Sequence, residues 1–229
     1  MNTKHKKPTL TKKQRHRLRV QQVRRQKIFL TCLFLLIVGC ILLRFPKFSG
    51  RQEEAHQINA ACEAYRDEVS SEAAQYDMSD YVDLILAVMM QESSGQGTDP
   101  MQSSEGAYNA RYPQQPNGIT DPSYSISCGI QELKYALDKA GCTGPTDLSK
   151  IRLALQAYNF GADSYFAYLE ENGQTVWTAQ SAQAFAQMAS GGTQRDEDDP
   201  LHDPAGPWDY GDQYYPDHVL RYYHLDNNS

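Results

Sequence analysis

No aspartate or glutamate occurs before Glu53, so the first part of this 229-residue chain carries charge of one sign only. Eleven Lys/Arg in residues 1–27 give that stretch a charge of +11. From Phe48 onward the balance reverses, with nine Lys/Arg against 28 Asp/Glu, a net −19. Scarcity of basic residues in the body excludes nucleic acid as its partner, because phosphate affinity rests on clustered Lys/Arg. Cysteine is also scarce, at five residues, with no CxxC and no Cys/His cluster at metal-ligand spacing. Neither a metal nor a cofactor is expected. Cys32 and Cys40 fall in an apolar run, while Cys62, Cys128 and Cys142 follow it. Three thiols cannot all pair, which leaves either one disulfide, Cys128–Cys142 closing a modest loop, or free buried thiols. Alternating strand patterns and internal repeats are lacking as well, so the class is all-α.

What is present first is Ile28–Leu43, sixteen residues without a charge. At ~1.5 Å rise per residue this covers about 24 Å, somewhat less than the ~30 Å hydrocarbon core. Arg25, Lys27, Arg44 and Lys47 can snorkel at its ends, and local thinning of the bilayer absorbs the remainder. Residues 28–45 therefore read as a single-pass anchor in the lipid bilayer. The basic flank (1–27) reads as a cytoplasmic tail attracted to the lipid surface, and the acidic body as extracytoplasmic. A cleaved signal peptide is the competing reading. The long region before the apolar run, and RFPKFSG after it with no A-x-A site, favour retention.

The body divides into residues 46–78, a helical stalk or first helix over Gln52–Tyr76, and a domain over 79–229. Its predicted helices are Asp80–Glu92, with Asp80 and Asp83 as a capping pattern, then Ile126–Ala140, Leu148–Tyr158, Ala162–Glu171 and Val176–Ser190. Thr98–Pro122 is rich in Gly, Pro, Asn and Ser and reads as a long irregular connection, a kind of segment that is usually functional. Residues 191–209 form an acidic insert that reads as a solvated surface loop, tolerant of shortening. The Tyr-rich Tyr210–Tyr223 reads as a closing helical segment.

On a helix from Asp80, the residues Tyr81, Leu84/Ile85, Val88 and Glu92 share one face. Glu92 continues this apolar stripe at the last turn, beside a Gly/Ser loop. A carboxyl set against apolar side chains has its charged form disfavoured, so its pKa rises. A carboxylic acid kept protonated near neutrality is what a general acid for glycosidic cleavage requires. Four motifs surround it in order: MMQESSG (Met89–Gly95), DPMQSSEG (Asp99–Gly106), DPSYSISCGIQELKYAL (Asp121–Leu137) and RLALQAYNFG (Arg152–Gly161). This order resembles the lysozyme-like superfamily of soluble lytic transglycosylases and goose-type lysozymes. It is most similar to the lysozyme-like module of bifunctional wall hydrolases carried on Gram-positive conjugative elements.

The resemblance covers about Ser79–Tyr223 and implies a lysozyme-like helical domain behind the anchor, cutting peptidoglycan glycan strands. It implies Glu92 as catalytic acid and Ser93 as the residue following it. Gln102 matches the glutamine lining the cleft, and Tyr158 and Asn159 match the Tyr-Asn pair that contacts substrate. An amide and a phenol suit that work because they hydrogen-bond sugar hydroxyls and acetamides without adding charge. Tyr158 as a core aromatic, Asn159 as a helix cap and Gln102 as a loop support are the competing structural roles. The pattern departs from the transglycosylase branch at Asp99-Pro100, where Gly-Leu is common. No second carboxylate is singled out among Asp99, Glu105, Asp121 and Asp163. Three functions stay open on these residues. One is a muramidase opening the wall for a conjugation or secretion apparatus, with channel proteins as partners. Another is a lytic transglycosylase, and the third is a non-catalytic wall-binding scaffold of a transfer channel.

Overall fold

The computed structural model describes residues 56–199 and 202–225, which belong to one compact unit, Ala55–Ser229. The basic tail, the apolar run 28–45 and the start of the stalk lie outside the described residues. Among the described residues the structure is helical, with one isolated antiparallel bridge, Gln194 to Trp208. In chain order the helices are α1 (Ala60–Glu63), α2 (Arg66–Gln75), α3 (Val82–Glu92), α4 (Pro122–Ala140), α5 (Leu148–Phe160), α6 (Ala162–Glu171), α7 (Ala179–Ala189) and α8 (Tyr215–Leu220).

Helix α3 is the inner element. Leu84 to Met89 are all fully buried, so the helix is enclosed on every side rather than along one stripe. Helices α1, α2 and α8 pack around it, and α5 contacts α4, α6 and α8. A 3₁₀ turn, Ser79–Tyr81, leads into α3, which starts at Val82 without a side-chain cap. Asp83 instead accepts from Arg66 of α2 at 2.7 Å. The capping pattern expected at Asp80 and Asp83 is therefore corrected: a tertiary ion pair takes one carboxylate, and the turn takes the place of the other.

Other boundaries moved for local reasons. The expected helix over 52–76 is, where described, two pieces that break at Ala64–Tyr65. Helix α4 starts four residues earlier than expected, because Asp121 accepts from the Tyr124 N–H and Pro122 pre-sets the first turn. It ends at Gly141, at φ 70°, where Cys142 N–H donates to Leu137 O and Gly141 N–H to Asp138 O. Helix α7 starts at Ala179 under a Thr178/Ser181 capping box, three residues after the expected Val176. The closing segment is helical only over Tyr215–Leu220. It is held by tyrosines whose rings pack while their hydroxyls reach an acceptor. Tyr210 donates to Phe160 O at 3.0 Å and Tyr223 to Pro145 O at 2.8 Å. The Tyr210 ring also joins an aromatic cluster with Phe160 and Phe185, at 5.6 and 5.8 Å between centroids. Cys62, Cys128 and Cys142 are free thiols, which decides between the two cysteine readings.

The long connection 93–121 is ordered around one buried carboxylate, Asp99, which is 1% exposed. It accepts from Ser103 N–H at 3.0 Å, Ser104 N–H at 3.1 Å and Ser125 Oγ at 2.6 Å, and from the Ser104 hydroxyl. Ser125 Oγ in turn accepts from Met101 N–H at 3.1 Å, fastening the connection to α4. Met101 then lies on Gly129, where a Cβ would stand 2.6 Å from the Met101 Cβ. Truncation of Asp99 leaves buried donors without an acceptor, so Asp99→Ala should lower stability by on the order of 3 kcal/mol or more. Urea denaturation of the variant checks this, and a loss below about 1 kcal/mol would contradict the anchoring role.

Candidate active site

Glu92 is the last residue of α3 and lines a cleft of about 610 Å³. The cleft is lined by the end of α3, by Gln102 of the connection 93–121 and by Asn159 of α5. The insert and the closing segment also contribute, with Arg195, His202, Asp212 and Tyr215 among the lining residues. Tyr215 Oη donates to Glu92 Oε1. Burial pushes the Glu92 carboxyl up from 4.5 to about 7; the Tyr215 hydrogen bond opposes this, and the negative charges of Asp212, Asp99 and Glu132 add to it. The raised pKa expected from the apolar stripe is thus present, and its first cause is the enclosure of the helix end.

Of the residues singled out by motif, the structure brings Glu92, Gln102 and Asn159 together on the cleft. Gln102 stands in a left-handed conformation, φ 50°, and its side-chain amide donates to Asp99 O at 3.0 Å and Asn117 Oδ1 at 3.1 Å. Asn159 is inside α5, not its cap, and its Oδ1 accepts from Asp212 N–H at 2.7 Å. Tyr158 and Ser93 stand behind the cleft wall. Tyr158 donates to Met101 O at 3.0 Å, so it fixes the backbone that precedes Gln102 and does not bond Glu92. Ser93 Oγ donates to Pro100 O at 2.8 Å and accepts from Gly95 N–H at 3.1 Å, stitching the helix end to the connection.

Three contributors carry no local mark in the sequence. Tyr215, the direct partner of Glu92, was only part of a Tyr-rich stretch. Asp212 accepts from Tyr214 N–H at 2.8 Å and pairs with His218 Nδ1 at 2.5 Å, and that contact raises the His218 pKa. Glu132, on α4, has its carboxyl pushed up to about 7 by burial alone. It lies against Gly106, where a Cβ would be 2.2 Å from its Oε2. The insert 191–209, though mostly exposed, reaches the cleft through Arg195, His202, Asp203 and Gly206. Shortening it would remove part of that wall. Asp163, Asp121 and Glu105 play no part here: the first pairs with Lys139, the second caps α4 and the third is exposed. Among the described residues no group of three His, Cys, Asp or Glu could hold a metal ion.

The family described as lysozyme-like matches residues 60–223. The bifunctional muramidase/DL-endopeptidase CwlT of Bacillus subtilis is 36% identical over 173 residues, 76% of this chain and 43% of CwlT. The membrane protein YocA of the same organism is 40% identical over 111 residues, 48% of this chain and 45% of YocA. A pneumococcal vaccine antigen A homolog of Streptococcus pyogenes is 37% identical over 110 residues, 48% of this chain and 50% of that protein. The chain thus spans about half the length of these relatives or less. Among solved structures, an NLP/P60-family lipoprotein-like protein of Staphylococcus aureus matches with a TM-score of 0.61 at 28% identity. That match covers 76% of this chain and 56% of that one.

The acidity of Glu92 carries a definite sign. A carboxyl whose folded value is raised favours its protonated form, so its contribution to stability is complete below about 4.5 and is lost as pH rises through about 7. Denaturation midpoints of the parent chain should therefore fall relative to Glu92→Gln across that window and run parallel outside it. Carbon-detected titration of the carboxyl should place it near 7 in the parent chain. In Tyr215→Phe it should lie higher, because the hydrogen bond that favours the ionised form is gone. An unshifted or lowered value would show that Tyr215 does not govern Glu92.

Proposed function

The chain belongs to the lysozyme-like family, and from that premise we propose that it is a glycosidase acting on peptidoglycan. Its reaction is that of a muramidase, cutting the β-1,4 bond between N-acetylmuramic acid and N-acetylglucosamine. The observation that carries this is the Glu92 carboxyl, enclosed at the inner end of the cleft with its pKa at about 7. Below that pH the carboxyl holds a proton that it can deliver to the glycosidic oxygen as the C–O bond breaks. The carboxylate left behind then accepts a proton from the water that attacks the anomeric carbon, restoring the acid. Tyr215 is positioned to hold the same carboxyl through both states.

Gln102 and Asn159 face the cleft and supply uncharged amides for sugar hydroxyls and acetamides, while Ser93 and Tyr158 keep the surrounding backbone in place. The apolar run Ile28–Leu43 and its basic flank support a membrane-anchored enzyme with the N-terminus in the cytoplasm and the domain facing the wall. Anchoring limits the reach of the cleft to wall close to the membrane, which suits local opening for a conjugation or secretion apparatus.

Glu92→Gln preserves shape but cannot deliver a proton. In a peptidoglycan zymogram it should lose about 10²–10⁴-fold or more of the activity, with an unchanged circular dichroism spectrum. Parent activity should decline on the alkaline side through about 7, and Gln102→Ala or Asn159→Ala should cost less than Glu92→Gln. Mass spectrometry of the products should show reducing N-acetylmuramic acid ends. Anhydromuramyl ends would assign the reaction to transglycosylation. Full activity of Glu92→Gln would remove Glu92 from the mechanism, and a parent chain without activity would favour the scaffold.

A further inference from the structure

The only buried side-chain nitrogen or oxygen atoms without a hydrogen-bond partner among the described residues are Arg221 Nε and His202 Nδ1. Both side chains line the cleft that holds Glu92. Most other cations of the domain are spent elsewhere. Arg66, Lys134, Lys139 and Arg152 form ion pairs with carboxylates away from the cleft, and Arg195 pairs with Asp209. Among the described residues Arg221 has no such carboxylate. It donates from Nη2 to Gln91 Oε1 at 3.0 Å, and its guanidinium lies 4.8 Å from the Tyr222 ring centroid. Those two contacts hold the planar fork in one orientation with most of its five donors unused.

His218 lines the same wall and pairs with Asp212, a contact that shifts the ring toward its protonated form. Two carboxylates compete for this wall. Asp212 is occupied by His218 and the Tyr214 N–H, and Asp203 accepts from Ala205 N–H at 2.8 Å. In a body of charge −19, a cation whose fork meets no carboxylate among the described residues calls for an anionic acceptor from outside.

We propose that Arg221, with His202 and His218 beside it, forms a subsite for a carboxylate on the peptide arm of the muramyl substrate. The inference rests on the glycosidase reading above: where the muramyl lactyl group is amide-linked to a stem peptide the sugar backbone is neutral, and the peptide arm then supplies the carboxylates near the scissile bond. A planar carboxylate matches the guanidinium fork in two parallel hydrogen bonds. On strands that bear stem peptides the subsite therefore favours arms with free carboxylates and places the muramyl unit against Glu92.

The test uses the full chain in detergent and two synthetic muramyl tetrasaccharides, one with free stem-peptide carboxylates and one with them amidated. The parent chain should show a KM about 10-fold lower for the free acid at similar kcat, since a hydrogen bond to a charged group is worth roughly that factor in binding. Arg221→Gln should abolish the difference, Arg221→Lys should retain part of it, and Lys134→Gln should behave as the parent. Equal KM values in the parent, or a preference that survives Arg221→Gln, would overturn the subsite while leaving the glycosidase reading intact. Should neither tetrasaccharide be cut, the glycosidase reading fails. Calorimetry then decides the subsite: binding of the free acid that is lost in Arg221→Gln upholds it, and equal binding of acid and amide overturns it. Tighter binding of polyglycerol phosphate than of the free acid also overturns it, in favour of a phosphate polymer.

Discussion

Placing a carboxyl group at the end of a helix that is enclosed on every side is the constraint that organises this domain. Helix α3 has no solvated face over Leu84–Met89, so Glu92 emerges from the core itself. Desolvation there disfavours the ionised form. The chain offsets part of that cost with one phenol hydroxyl, from Tyr215, which lies more than a hundred residues away in sequence. The closing segment must therefore return across α3, and its tyrosine contacts at Phe160 and Pro145 hold it there. A carboxyl left without that return would be a buried, unpartnered acid.

Two carboxylates near the cleft show how environment divides their roles. Asp99 is buried too, but it accepts from two backbone N–H groups and two hydroxyls, and those bonds make it the fixed point of the connection 93–121. Glu92 has a single protein donor and keeps an acidity near neutrality. One organises backbone and the other is poised to exchange a proton. The left-handed Gln102 follows from the first role, since its backbone is fastened by Asp99 on one side and by Tyr158 through Met101 on the other.

Much of this was legible in the residues. The all-α class, the central helices α4 to α6 and the position of Glu92 at a helix end were all readable from apolar spacing and from Gly and Pro punctuation. The motif order then pointed to the lysozyme-like family. What spacing could not give was partnership across the chain. A single helical stripe was expected for α3, because a pattern read in one segment cannot know that three other elements surround it. Tyr215 was hidden for the same reason: one tyrosine among several in Tyr210–Tyr223 carries no local mark of facing a carboxyl. Asp99 looked like a departure from a pattern and proved to be the anchor of the connection. The insert 191–209 looked solvated from its acidic composition, yet Arg195 and His202 within it face the cleft.

Catalysis by Glu92 requires a glycan strand to lie with its glycosidic oxygen at the residue 92 side chain. A crystal structure of Glu92→Gln with a muramyl tetrasaccharide bound measures this directly. The glycosidic oxygen between N-acetylmuramic acid and N-acetylglucosamine should lie within about 2.6–3.2 Å of the residue 92 side chain, with the sugars crossing the cleft past Gln102 and Asn159. A strand bound elsewhere on the domain, or one crossing the cleft with no glycosidic oxygen in reach of residue 92, would contradict it.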